Sequence, residues 1–376
     1  MLAMFNGNLH PPPYSGKDQT TYDSLFNKSI FIAPQQIETE QEFDQVWDEH
    51  VDKSNHFYRG QREAVWQLYT TGQRKWIDDR LHESEESYGA FMQRMVANAR
   101  TMYGGLLVKY LERIGMDPQS DIAVLSFLQH YGGPTPLQDW TFSFGNAVFF
   151  AMDGIRKEGD AEADHYFSVY HIEDSGFASA DLQQIFREAI EAALPDLSER
   201  SEEWARKNGV EEAQIERARN GGFFADYILQ KMGPNMVRDM ASVASLMRMA
   251  DNAPLNFFSD REDFPWLSFS MNNSLNIRNQ RGVFLWNHHE ALPTEQVGRE
   301  LHLANNDSDA GYKFCRCFNI NKKLEGHIRK KLNEAGITHR FIYPDPTPME
   351  FGMDPWAFAR EVYEMTRDEG RRNTSA

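Results

Sequence analysis

The chain has 376 residues, a formal net charge of −17 and two cysteines. Its length allows one large elaborated domain or two ordinary ones. Its content of 41% hydrophobic and 25% charged residues is typical of a globular protein and excludes a disordered or fibrous class. The acidic charge speaks against non-specific nucleic-acid binding through a large basic face, although a local groove lined by Lys and Arg stays compatible with it. The sequence has no run of about 18 apolar residues and no basic-then-apolar leader, so we expect a cytoplasmic protein without a membrane span.

The first elements are predicted from composition and periodicity. Residues 1–28 are rich in Pro, Gly, Asn and Ser, which predicts an arm rather than core. A short strand in "SIFIAP" and an acidic helix in "ETEQEFDQVWDEHV" follow. The longest periodic segment, Glu83 to Gly115, has apolar residues that step by three or four, which predicts a core helix.

The rest of the chain alternates between helix and strand patterns. Ser120 and Ser143 stand where they would cap the helices "SDIAVLSFLQHY" and "FGNAVFFAMDGIRK", and "YGGPTP" separates the two. "DHYFSVYHI" predicts a strand, and the charged residues 175–264 predict a helical insertion. Strands in "RGVFLW" and "KFCRCFNI", a helix in "KLEGHIRKKLNEAG" and a strand in "THRFIYP" complete a main domain over 29–350. Residues 351–376 predict a helix and tail.

Neither of two possible metal patterns is convincing. The adjacent histidines of "NHHE" point to different sides of a strand and lack the four-residue helical offset that converges two imidazoles on zinc. Cys315 and Cys317 alternate on one side of a strand, which favours buried structural thiols in a reducing compartment. We therefore expect no metal. Walker, GxGxxG, GxSxG and HExxH motifs do not occur either.

Three polar clusters, each embedded in apolar sequence, are the candidates for chemistry. They are "FYRGQ" with Tyr58, Arg59, Gly60 and Gln61; "LQHYGGPTPLQDWTFSFGNAVFFA" with His130, Tyr131, Asp139, Thr141 and Ser143; and "NIRNQRGVFLW" with Arg278, Gln280 and Arg281. A guanidinium suits bidentate binding of phosphate or carboxylate, and hydroxyls and exposed amides can complete an anion cradle. The glycine after Arg59 is expected to permit a sharp exit from its strand.

Structural explanations stand beside these functional ones. Arg59 can be a surface charge, Asp139 can brace a turn, and His130 can satisfy the last carbonyls of its helix. Capping alone can account for Thr141 and Ser143. Likewise, the glutamine and arginine that precede "GVFLW" can form a polar turn.

Together the blocks resemble the FRG domain, named after a Phe-Arg-Gly signature that here reads Tyr58-Arg59-Gly60. The second block follows the family pattern QHYGxPTxLxDWTxxxxxAxxFA at nearly every fixed position, and "NIRNQRGVF" and "FIYPD" extend the resemblance over about residues 30–350. FRG domains in turn resemble the ADP-ribosyltransferase superfamily. This implies an α+β fold with a core of packed β-sheets, flanking helices and a helical insertion over 175–264.

The resemblance also implies site roles. In that superfamily a first-strand residue holds NAD, a second block shapes the nicotinamide pocket, and a late strand supplies a glutamate. By order along the chain, Arg59 takes the first role with Tyr58, Gly60 and Gln61. The second block supplies His130, Tyr131, Thr141 and Ser143.

The catalytic role remains open at this stage. Gln280 stands where the glutamate is expected, and an amide cannot act as a general base. Asp139 can take the carboxylate role, Gln280 can only orient the ribose, or the fold can bind without catalysing.

The resemblance therefore implies an NAD-dependent ADP-ribosyltransferase that uses Arg59, Asp139 and Gln280. It modifies a macromolecular acceptor, with a nucleic acid such as RNA preferred over a protein. The implied context is a cytoplasmic toxin of bacterial phage defence that an antitoxin or regulatory protein restrains. The alternatives are a nucleotide-sensing, partner-binding module without turnover and an NAD glycohydrolase.

Overall fold

The structure is a computed structural model. It describes residues 20–84, 86–155, 159, 161–173, 199, 202–203, 205–207, 209–220, 242–248, 255–259, 267–268, 275–305, 311–344, 352 and 354–373. Residues 1–19 of the predicted arm and most of the predicted insertion lie outside these ranges. Within them, no helix combines the length and apolar character that crossing a membrane requires.

Among the described residues, eight strands form one mixed sheet. The strands are β1 (Ile32–Ile37), β2 (His56–Gln61), β3 (Leu137–Thr141), β4 (Tyr166–Glu173), β5 (Leu255–Ser259), β6 (Leu267–Ser268), β7 (Gly282–Asn287) and β8 (Cys315–Asn321). Their order is β1-β8-β4-β2-β3-β7-β5-β6. The β1–β8 and β5–β6 pairs are parallel and the others are antiparallel. The fold is thus α+β as predicted, with one mixed sheet where packed sheets were expected.

Helices cover both faces of the sheet. They are α1 (Leu25–Phe31), α2 (Glu40–His50), α3 (Thr71–Asp78), α4 (Tyr88–Arg113), α5 (Asp121–His130), α6 (Phe144–Met152), α7 (Glu212–Asn220), α8 (Val243–Arg248), α9 (Leu275–Gln280), α10 (Thr294–Asn305), α11 (Glu325–Glu334), α12 (His339–Ile342) and α13 (Pro355–Asn373). One apolar core joins α4, α5, α8 and α13, and a second joins α2, α6 and α11 to the sheet.

The predicted caps are confirmed, whereas some predicted elements differ. Ser120 accepts a hydrogen bond from the Ala123 amide, and Ser143 accepts one from the Asn146 amide. The predicted long helix is broken at Met102–Gly105, where Tyr103 and the two glycines adopt left-handed backbone angles.

Three strand assignments also change. "THRFIYP" is not a strand: it forms the short helix α12, whose cap is the Thr338 hydroxyl. "SIFIAP" ends helix α1 before it becomes β1 at Ile32. Residues 255–259, predicted within the helical insertion, form β5 and extend the central sheet.

The end of the predicted arm belongs to the core. The Lys28 side chain is fully buried, and its Nζ donates hydrogen bonds to the Ala64 carbonyl (3.0 Å), Ser168 Oγ (2.8 Å) and Asn319 Oδ1 (2.9 Å). Three oxygen acceptors offset the cost of removing an ammonium group from water. Lys28 therefore ties α1 to β4 and β8.

Gly60 lets α6 pack directly on β2. A Cβ atom built at Gly60 would lie 2.0 Å from the Ala147 carbonyl oxygen and 2.6 Å from the Ala151 nitrogen. The predicted strand exit at Gly60 is wrong, because β2 continues to Gln61. The glycine is needed for this close backbone approach.

We expect Gly60→Ala to lower the free energy of unfolding by about 2–3 kcal/mol, because the clashing atoms belong to the α6 backbone and cannot rotate away. Gly326→Ala is the matched control, since a Cβ in the first turn of α11 meets nothing within 4 Å. Urea denaturation of both variants measures the difference. Equal stability of the two alanine variants would contradict the close approach.

Glu295 makes stability depend on pH. Its buried carboxylate accepts hydrogen bonds from the Tyr22 hydroxyl and the Leu68 amide, and burial raises its pKa to about 7. The pKa of Glu295 in the folded state exceeds its value of about 4.3 in the unfolded chain. The protonated carboxyl group therefore contributes stability that is fully present below about pH 4.3 and is lost as the pH rises through about 7.

Glu295→Gln should remove this slope. When the pH rises from about 5 to about 8, the free energy of unfolding should fall by up to about 3 kcal/mol more in the parent chain than in Glu295→Gln. Denaturant titrations at the two pH values test this, with the exposed Glu364→Gln as control. A slope that survives in Glu295→Gln would mean that another group is responsible.

Candidate functional site

A cleft of about 430 Å³ opens beside the junction of β2 and β3. These strands share a single register pair, Tyr58 with Thr141, so they diverge beyond it. The cleft brings together most of the predicted site residues, namely Tyr58, Arg59, Gly60, Gln61, His130, Asp139, Thr141 and Gln280. Tyr131 and Ser143 do not line it.

The cleft is positively charged in a chain that is strongly acidic. Among its described lining residues, Arg59, Arg62 and Arg74 outnumber Asp139 and Asp153. Such a concentration of guanidinium groups suits a phosphate or carboxylate ligand. Arg62 and Arg74 were not predicted as site residues, because neither stands in a recognisable spacing from Arg59.

Arg59 spans the gap between the diverging strands. Its Nη1 donates a 2.6 Å hydrogen bond to the backbone carbonyl of Asp139. Its buried Nε has no hydrogen-bond partner among the described residues. Burial lowers the pKa of the guanidinium, but an arginine remains charged in proteins. Arg59 thus keeps donor capacity for a ligand while it holds β3.

Arg74 supplies a second, fixed cation. Its guanidinium lies 5.6 Å from the centre of the Trp66 ring, and its Nη2 donates to the Tyr69 carbonyl at 3.4 Å. Burial, and then the charge of Arg59, lower its pKa to about 10. Arg74 therefore stays positive at neutral pH, and an anion between the two arginines would relieve their repulsion.

Asp139 is held by a chain of hydrogen bonds that explains much of the "QHYGGPTPLQD" segment. Gln129 Nε2 donates to Asp139 Oδ2 at 2.6 Å. Gln129 Oε1 accepts from the hydroxyls of Thr135 (2.6 Å) and Thr71 (3.1 Å). Because both hydroxyls use the amide oxygen, the amide NH₂ must face the carboxylate. Gln129 was not among the predicted site residues.

Opposing effects act on the pKa of the Asp139 carboxylate. The side chain is exposed to the cleft but surrounded by protein, and this desolvation raises its pKa, while the charge of Arg59 and the Gln129 hydrogen bond oppose the rise. Asp139 is therefore an oriented carboxylate with access to a ligand, not a buried brace of the turn.

His130 and Tyr131 separate at the end of α5. His130 lines the cleft, burial lowers its pKa to about 4, and its Nε2 has no partner in the described part of the chain. It is therefore a neutral ring with hydrogen-bonding capacity left for a ligand. The Tyr131 ring instead packs in the core, 4.7 Å from the Phe127 ring, so its predicted place in the pocket is wrong.

Thr141, Ser143 and Gln280 hold elements together. The Thr141 hydroxyl donates to the Gln280 carbonyl (2.6 Å) and accepts from the Ser143 amide (3.0 Å). Gln280 Nε2 donates to the Ile342 carbonyl at 3.3 Å. Since the Ser143 hydroxyl caps α6, its predicted cofactor role gives way to the capping role.

Aromatic rings line much of the remaining wall. They are Trp66, Trp140, Phe150, Phe284, Tyr343 and Trp356. Trp356 stands at the start of α13 with half of its surface exposed, although it is a large apolar side chain. Flat, accessible rings are suited to stacking with heterocycles. No sequence pattern linked Trp356 to the earlier blocks.

The "NHHE" histidines do not converge. His288 Nε2 pairs with the Asn256 side chain at 2.8 Å, whereas His289 Nδ1 accepts from the amides of Ala291 and Leu292. Arg278 and Arg281 are also exposed and outside the cleft lining.

The fold and site define an α+β domain with a basic, aromatic-lined cleft. Residues 54–160 match the family model of the FRG domain. This match supports the FRG family and spans β2 to α6, which supply most of the cleft. No curated protein and no solved structure matches the chain.

We expect Gln129→Leu to raise the pKa of Asp139 further, because it removes a hydrogen bond that favours the charged carboxylate. Carboxyl ¹³C NMR of Asp-labelled protein, with Asp139→Asn to assign the signal, measures the shift. Gln214→Leu, at an exposed position of α7 outside the cleft lining, is the control. An unchanged Asp139 titration in Gln129→Leu would show that the glutamine does not position the carboxylate.

Proposed function

We propose that the chain is an NAD-dependent ADP-ribosyltransferase that modifies a macromolecular acceptor. The observation that carries this is the convergence of Arg59, Arg62, Arg74 and Asp139 with flat aromatic rings in one cleft. NAD presents two phosphates between two heterocycles, so it needs cations flanked by stacking surfaces. A volume of about 430 Å³ lies in the range of small-molecule sites. The resemblance of FRG domains to the transferase superfamily adds support.

The cationic side chains would bind the pyrophosphate. Arg59 has an unpartnered Nε beside the cleft, and Arg74 is held in place by Trp66. Neutral His130 would hydrogen-bond the uncharged carboxamide of nicotinamide, which does not require an ionic partner. Trp356 or Tyr343 would offer a face to one of the heterocycles.

Asp139 is the better candidate for the catalytic carboxylate. Cleavage of the bond between nicotinamide and ribose leaves positive charge on the ribose, which a nearby carboxylate stabilises. Nicotinamide leaves as a neutral molecule, the acceptor attacks the ribose C1′ atom, and the acceptor releases one proton. Gln280 cannot take that proton, and its side-chain amide already donates to the Ile342 carbonyl.

The acceptor is proposed to be a nucleic acid, RNA among them, ahead of a protein. A net charge of −17 opposes binding of nucleic acid over a broad surface. The nucleic-acid strand would therefore be held locally by the basic cleft and by stacking on the exposed Trp356. The proposed context is a cytoplasmic toxin of phage defence that a partner protein restrains.

Purified protein with labelled NAD and separate RNA, DNA and protein acceptors tests the proposal. We expect label on nucleic acid, and a loss of about 10²-fold in kcat/KM for Arg59→Ala and Arg74→Ala. Asp139→Asn should lower kcat while NAD binding persists. Arg278→Ala, exposed and outside the cleft lining, is the matched control and should keep full activity.

The same assay separates the alternatives. Free ADP-ribose in place of labelled acceptor would indicate an NAD glycohydrolase. Saturable NAD binding with neither product would indicate a sensing module. If Arg59→Ala changes neither binding nor turnover, the assignment of the cleft is wrong. Induced expression in bacteria adds a cellular measurement: growth should stop with the parent chain and continue with Asp139→Asn.

A further inference from the structure

Three buried histidines meet on the side of β2 that faces α2 and α6. His50 ends α2, His56 begins β2, and His171 lies in β4. One ring nitrogen of each lies within 4.8 Å of one from each of the others, and all three residues are at most 7% exposed. Six and 115 residues separate them along the chain, so no local metal motif could have revealed the group.

Hydrogen bonds orient two of the three rings, His50 and His56, as metal ligands are usually oriented. His50 Nδ1 lies 3.0 Å from the Tyr58 hydroxyl, and that hydroxyl can donate to the His50 carbonyl at 3.5 Å. His56 Nδ1 lies 2.9 Å from Asn55 Oδ1. With Nδ1–H donated to an oxygen, the His50 and His56 rings present Nε2 as a lone-pair donor, which is the usual arrangement around bound zinc.

We propose that His50, His56 and His171 bind one divalent transition-metal ion of the zinc class. Three imidazoles form a borderline-soft donor set that suits zinc better than magnesium or calcium. The nitrogens of ligands on one zinc ion are about 3.3 Å apart, so binding would draw the rings together by small side-chain rotations. Water or Glu49, whose carboxylate lies 3.7 Å from His50 Nε2, would complete the tetrahedron.

The surrounding charges are nearly balanced. Glu49 and Glu173 attract a positive charge at His56, whereas Lys53 and Arg316 repel it. Lys53 is paired with Glu49 at 2.9 Å, which reduces its repulsion of a cation. A bound ion would join α2 to β2 and β4 and thereby stabilise the strand that carries Arg59.

Aromatic packing is the competing explanation. The His171 ring stacks on Phe318 at 4.8 Å, and the His50 ring packs edge-on against it at 5.1 Å. Packing alone predicts variants that destabilise the protein without any metal dependence. Metal binding predicts one ion per chain, and removal of that ion should destabilise the protein as much as substitution of a ligand histidine does.

The experiment titrates Zn²⁺ into the chelator-treated full chain against a chromophoric competitor. We expect one ion per chain with a Kd below about 1 μM and a rise in Tm on binding. His56→Asn and His171→Asn should abolish both, and the exposed His165→Asn is the matched control. Asn55→Ala leaves the ligands in place and should weaken binding about tenfold.

X-ray absorption of the zinc-loaded chain provides a readout that does not depend on whether the histidine variants fold. Imidazole scattering without sulfur is expected, because the buried Cys315 and Cys317 are not among the proposed ligands. Sulfur scattering, the absence of stoichiometric binding, or binding that persists in His56→Asn and His171→Asn would overturn the proposal.

Discussion

The junction of β2 and β3 determines the form of the candidate site. One register pair, Tyr58 with Thr141, connects the half of the sheet built from β1, β8, β4 and β2 to the half built from β3, β7, β5 and β6. Beyond that pair, the connection between the two strands is a hydrogen bond that the Arg59 guanidinium donates to the Asp139 carbonyl. The strands can separate because a side chain replaces the missing backbone hydrogen bonds. The separation creates a cleft whose floor already contains a cation and a carboxylate.

Local patterns were sufficient where neighbouring residues determine the structure. The caps at Ser120 and Ser143 followed from residue type and position, because a cap bonds to an amide three residues away. Buried Cys315 and Cys317 followed from alternation along β8. Patterns failed for "THRFIYP", where apolar residues suited a strand but the Thr338 cap started a helix.

The missed parts of the site depend on contacts between distant segments. Arg74 reaches the cleft because α3 packs beside β3, and Trp356 reaches it from the far end of the chain. Gly60 was recognised as special, but the reason was wrong: the constraint is the α6 backbone at Ala147 and Ala151, which lie 87 and 91 residues further on. Long-range packing gives such residues their role, and no periodicity in a single sequence records it.

The hydrogen bonds around Asp139 change how the FRG-like motif is understood. Gln129 and Thr135 fix the direction of the carboxylate, and Thr71 of α3 completes the arrangement. Thr141 and Gln280 similarly join β3, α9 and α12, so Gln280 has a structural role at the position where a glutamate was expected. Much of the motif therefore builds the cleft, whereas Arg59, Asp139 and the neutral His130 keep charge or hydrogen-bonding capacity there. Preorganisation of this kind costs stability at Asp139, whose desolvation raises its pKa, and it is the arrangement expected where a charge must be ready before the ligand arrives.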